Sequence, residues 1–155
     1  MVLNAVIADL DDQAAAFKVA GGTVPSAGAI LAHCLHGEDM MVSQAAGGAK
    51  LTLLSEGFQA RTGIAVPAPA MTPEWHSQAF NVAGLKEYGA AVFARTNAFL
   101  EGASSSDLDR LIDTPLGSKV PAADYLASFG VVHLSEHTGE ISALKGAQGG
   151  RGLPF

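Results

Sequence analysis

Residues 26–46 read SAGAILAHCLHGEDMMVSQAA. On a helical wheel this stretch is apolar on more than one side, and a helix of that kind has to be covered by other elements. Pro25 or Ser26 opens it, and Gly47 and Gly48 close it. The rest of the chain must supply the cover, and three further stretches have the period to do so. Leu3, Val6, Leu10 and Phe17 repeat at helical steps, which predicts a first helix over roughly residues 3–19. A third helix starts with Thr72 as cap and Pro73 at the first position. Trp75, Ala79, Val82, Leu85, Phe93 and Leu100 give it a core face. A fourth begins at Pro121 and runs to about Lys145, before a glycine-rich tail. Between the second and third helices, residues 48–72 carry too much Pro and Gly for one helix, so they read as a long surface crossover with a helical turn near 51–59. Residues 101–119 read as a second, polar connection. There is no clean period-two strand. The expected fold is all-α, a four-helix bundle, formed by residues 1–155 as a single domain.

Composition narrows the function classes. The 155 residues are 48% hydrophobic and 15% charged, so a packed core is expected rather than disorder. The net charge is −6 and no basic cluster occurs, which argues against nucleic-acid binding. No apolar run reaches the ~18 residues of a membrane span. The opening MVLNAVIADLDDQ lacks the basic start of a secretory signal, and the lone Cys34 excludes an internal disulfide. A cytoplasmic protein is expected.

Two histidines stand out in the fourth helix, VVHLSEHTGEISALKG. At about 100° per residue, Ala122, Leu126, Phe129, His133, His137, Glu140, Ile141 and Leu144 share one sector, with the His pair at its centre. Adjacent buried imidazoles need partners for every ring nitrogen. A divalent cation meets that need, and two His four residues apart on one helix face can share it. A stable site takes a third ligand, expected from a facing helix. The second helix offers His33 and His36, about 60° apart on one broad side with Ala29, Gly37 and Met40. Spacing does not choose between them.

Competing patterns fail on context. HLSEH also fits His-x-x-Glu-His, the metalloprotease arrangement, but Glu136 falls about 80° from the centre of the stripe. A di-iron bundle needs Glu-x-x-His, and no Glu stands three residues before a His. Cys34 neighbours His33, yet adjacent helical residues point apart, so a small buried thiol is expected.

AILAHCLHGEDMM in the second helix, DYLASFGVVHLSEHTGEISALKG in the fourth and the GAQGGRGLPF ending together resemble the DinB-like superfamily of small helical bundles. The resemblance covers most of the chain. It implies an up-down-down-up bundle, a frequent homodimer, and a three-histidine site for a divalent metal, often zinc or nickel. It assigns His33 as the second-helix ligand, from its Leu-x-His context and the later Glu38–Asp39 pair, beside His133 and His137. It also implies chemistry on a small-molecule substrate with low-molecular-weight thiols such as mycothiol or bacillithiol, by S-transfer, isomerisation or amide hydrolysis.

A three-histidine site leaves a metal its full charge, so a bound water or thiol ionises more readily. Glu140, one turn beyond His137, is a candidate to orient an imidazole or relay a proton. Lys145 and Arg151 are candidates to attract a carboxylate-bearing thiol. The expected function is a metal-dependent thiol-S-transferase or hydrolase. The alternative is a non-catalytic helical module for dimerisation or ligand binding.

Overall fold

A computed structural model describes residues 2–65, 72–114 and 117–153. The chain opens with α1 (Val2–Ile7) and α2 (Asp12–Ala16), followed by the long α3 (Ala27–Ala45). Two short helices, α4 (Thr52–Ser55) and α5 (Phe58–Thr62), lead towards α6 (Pro73–Ser77) and the second long helix, α7 (Val82–Gly102). After α8 (Ser105–Asp109) comes a small antiparallel hairpin, β1 (Leu111–Asp113) with β2 (Lys119–Pro121), in which Ile112 faces Val120. Then α9 (Ala122–Ala127), a π-helical segment (Ser128–His133) and α10 (Leu134–Ala147) follow one another, and the backbone stays right-handed helical across both junctions. The fold is all-α apart from the hairpin.

The central helix α3 is buried as its composition demands. Ser26 caps it by accepting a hydrogen bond from the Ala29 amide at 3.3 Å. Gly47 and Gly48, with φ of 81° and 83°, take the chain out of the helix in the left-handed region. Ile30, Leu31, Leu35 and Cys34 of α3 pack with Leu3, Val6, Leu85, Val92, Ile141 and Leu144 in the main core. Each such aliphatic side chain stabilises the fold by about 1.5–3 kcal/mol. A smaller cluster joins Met41 and Ala45 at the end of α3 to Ile112, Ala122, Tyr125 and Leu126.

Two of the four expected stretches are broken. The first is split because Asp11 caps α2, its side chain accepting from the Ala14 amide at 2.8 Å. Phe17 to Val19 are not helical, and the neighbouring Asp12 is used to accept from the Val82 amide at 2.7 Å. The third stretch stops after Ser77 and restarts where Asn81 accepts from the Gly84 amide at 2.7 Å. Short polar side chains compete with helical backbone bonds in this way. Ala79 and Leu100, expected in the core, are exposed, and Phe93 is half-buried. The polar connection of residues 101–119 contains α8, held by a capping box between Ser104 and Asp107, then β1 and the first residue of β2. Within the crossover of residues 48–72, α4 and α5 are formed, and residues 66–71 lie outside the described residues.

A buried carboxylate fixes that crossover. Asp39 of α3 accepts from the Thr52 and Leu53 amides at 3.0 and 2.9 Å, the Tyr88 hydroxyl at 2.8 Å and the Arg95 guanidinium at 3.0 Å. Leu51 offers no side-chain cap to α4, so Asp39 satisfies its first amides from another helix. Among the described residues no helix is long and apolar enough to cross a membrane.

Candidate metal centre

The π-helical segment sets the position of the histidines. In an α-helix the core residue two turns after Leu126 would be His133, seven positions on. The wide turn takes in an extra residue, and Leu134 enters the core instead. No residue of the segment itself is buried. His133 and, one α-helical turn later, His137 are thereby brought to the half-buried edge of the core rather than its centre. Nothing in the residue pattern marks this extra residue.

His33 of α3 meets them there. Its Nε2 lies 3.2 Å from His133 Nε2, which lies 3.1 Å from His137 Nε2. The His33 ring is 5.2 Å from each of the other two, edge to face. One ligand atom from each of the three lies within 4.8 Å of the others. His36 does not join them. It is fully buried and stacks on Trp75 at 6.2 Å. The two helix-two histidines that spacing left open are thus separated by their neighbours: one faces the π-helical segment, the other an indole.

Hydrogen bonding orients the cluster. Glu140 Oε2 lies 2.6 Å from His137 Nδ1. A carboxylate oxygen accepts, so Nδ1 donates, and in the neutral ring Nε2 keeps its lone pair towards the cluster. Burial, followed by the neighbouring His137, holds the His133 imidazole below its ordinary range, which favours the neutral ring. Each Nε2 has one in-plane position, either a proton or a lone pair. His133 Nε2 therefore cannot serve both short contacts with protons, whereas a cation between the rings engages all three lone pairs. Two nitrogens at about 2.0–2.1 Å from one tetrahedral zinc stand roughly 3.3–3.4 Å apart, close to the spacings seen. The three-histidine group could hold a metal ion.

The surroundings are mixed. Phe129 packs against His133 at 5.3 Å and Tyr125 against Phe129 at 4.8 Å, an aromatic wall not singled out as functional by residue type. Gly37, one turn after His33, has no atom within 4 Å of where a Cβ would stand, so that face of α3 is open.

These features match a known family. A family model described as the DinB superfamily matches residues 1–141. The chain belongs to the DinB superfamily. A crystal structure of a conserved protein from Enterococcus faecalis has the same fold as this DinB-superfamily chain, with a TM-score of 0.76 and 19% identity over 92% of this chain and 86% of that one. No curated protein matches.

Other sequence candidates are placed elsewhere. Glu136 is exposed and away from the three ligand atoms. Cys34 is 2% exposed, and burial pushes its thiol far above its ordinary range, so it stays protonated. Lys145, expected to attract a substrate carboxylate, is 6% exposed and donates to the Val6 carbonyl and to Asp9. It ties α10 to the start of the chain through these two contacts.

Proposed function

We propose that His33, His133 and His137 bind one divalent ion, zinc or nickel, and that the chain is a metal-dependent enzyme acting on a small-molecule substrate. The convergence of three imidazole nitrogens carries this reading, and membership of the DinB superfamily supports it. When bound, the ion supplies a Lewis acid that ionises a thiol or water near neutral pH. The reaction is then S-transfer, isomerisation or hydrolysis, with a low-molecular-weight thiol such as mycothiol or bacillithiol as the sulfur source.

The chain's own groups have separable parts in this reading. Glu140 holds the Nδ1 proton of His137 and so points Nε2 at the centre. Phe129 keeps water from one side of His133. The open face at Gly37 admits the substrate. Cys34 is not the nucleophile, because its thiol is buried and protonated. The same reading takes the protein as a cytoplasmic homodimer.

Metal analysis of protein purified without chelator tests it. About one divalent ion per chain is expected, and none in His133→Ala or His137→Ala. A wild type that is metal-free and takes up neither zinc nor nickel overturns the proposal. Retained metal with no turnover across a panel of thiols and amides favours the alternative, a non-catalytic module.

A further inference from the structure

Glu38 and Asp39 are neighbours on α3 with opposite fortunes. Asp39 is met by four donors. Glu38 is 8% exposed, and it accepts from the Thr96 hydroxyl at 2.9 Å. That hydroxyl also lies 3.2 Å from the Val92 carbonyl and has one proton to give. Among the described residues no ion pair includes Glu38. A carboxylate so deeply placed and so thinly solvated is costly. Burial accordingly holds the Glu38 carboxyl above its ordinary range.

The carboxylate lines a cavity of about 160 Å³ between α3, α7 and the π-helical segment. Met41, Phe93 and Leu126 form its apolar walls, and Asn97, Leu100 and Val131 its rim. Among the described residues no lysine or arginine lines it. Gly130 helps keep it open, since a Cβ there would stand 3.2 Å from the Met41 methyl. At about 100° per residue, Glu38 is roughly 140° around α3 from His33, so the cavity is not part of the histidine cluster.

We propose that this cavity is a second ligand site, which binds a small organic ammonium ion with its charged end at Glu38 and its apolar body against Phe93, Met41 and Leu126. The Glu38 carboxylate offers acceptor positions to a primary ammonium, and Thr96 and Asn97 stand beside it in the lining. The size limits the ligand, because a cavity of roughly 150 Å³ takes a molecule such as benzene.

Calorimetric titration of the full chain with benzylammonium tests the proposal, with benzyl alcohol as the uncharged match. The ammonium is expected to bind saturably and about tenfold or more tighter than the alcohol, as a charge-assisted hydrogen bond allows. Glu38→Gln should abolish that preference, and His133→Ala should leave it intact. Amide chemical shifts of the wild type give a readout that needs no variant: those of Thr96, Asn97, Gly130 and Val131 should move on addition of benzylammonium. The proposal fails if binding does not saturate, if the alcohol binds equally well, or if a folded Glu38→Gln keeps the preference. It also fails if the shifts gather at His33 and His137 instead.

Discussion

At the scale of single residues, Glu140 has a role that reaches beyond its own exposure. Half of its side chain is in solvent, at 49%, so its contact with His137 adds little to folding stability. Its effect is on the ring it holds. With the Nδ1 proton engaged, His137 is fixed in the tautomer and orientation that offer Nε2 to the cluster. Glu140→Ala frees the ring to rotate and to change tautomer. The expected result is a fall in zinc affinity of about 10- to 100-fold with the helical circular dichroism spectrum unchanged. Competition against a chromophoric chelator measures it, and an affinity equal to wild type would remove Glu140 from the site.

At the scale of elements, Asp39 is what makes the short crossover helices a fixed part of the bundle. It satisfies the start of α4 while pairing with Arg95 of α7, and its side chain is fully buried. Removing one partner of such a pair leaves the other uncompensated. Asp39→Ala should therefore cost about 3–5 kcal/mol in urea denaturation, and a loss well under 1 kcal/mol would show that water replaces the carboxylate. None of this could be read from the sequence, where Glu38 and Asp39 form an ordinary acidic pair. What could be read was the set of long apolar periods. Residues 26–48 gave a helix with its cap and its stop because burial, Ser26 and the two glycines all point the same way. The breaks at Asp11 and Asn81 were missed because apolar spacing continues across them, and only the side-chain caps reveal the interruption. The π-helical turn was missed for a related reason, since a wheel assumes a constant angle per residue.

At the scale of the whole molecule, the histidine cluster closes a long loop. His33 and His133 are 100 residues apart in sequence, and the helices that carry them pack against each other in the folded state. The sequence showed the His133–His137 pair through its spacing, while His33 could be preferred to His36 only through family resemblance. The distinction depends on what faces each side of α3, the π-helical segment or Trp75, and that is decided by tertiary packing. A ligand set assembled by folding is absent from the unfolded chain, so an ion that binds it stabilises the entire fold by mass action. Zinc at about a hundred times its Kd adds roughly 2.7 kcal/mol, or a rise of about 5–10 °C in Tm for a chain of this size. His33→Ala breaks the link between α3 and the last helix while keeping the His133–His137 pair. Thermal unfolding of both proteins with and without zinc separates the cases: a large shift in wild type and a much smaller one in His33→Ala shows that the ion is held across the bundle. Equal shifts would mean that the metal binds one helix alone, and the three-histidine centre would have to be abandoned.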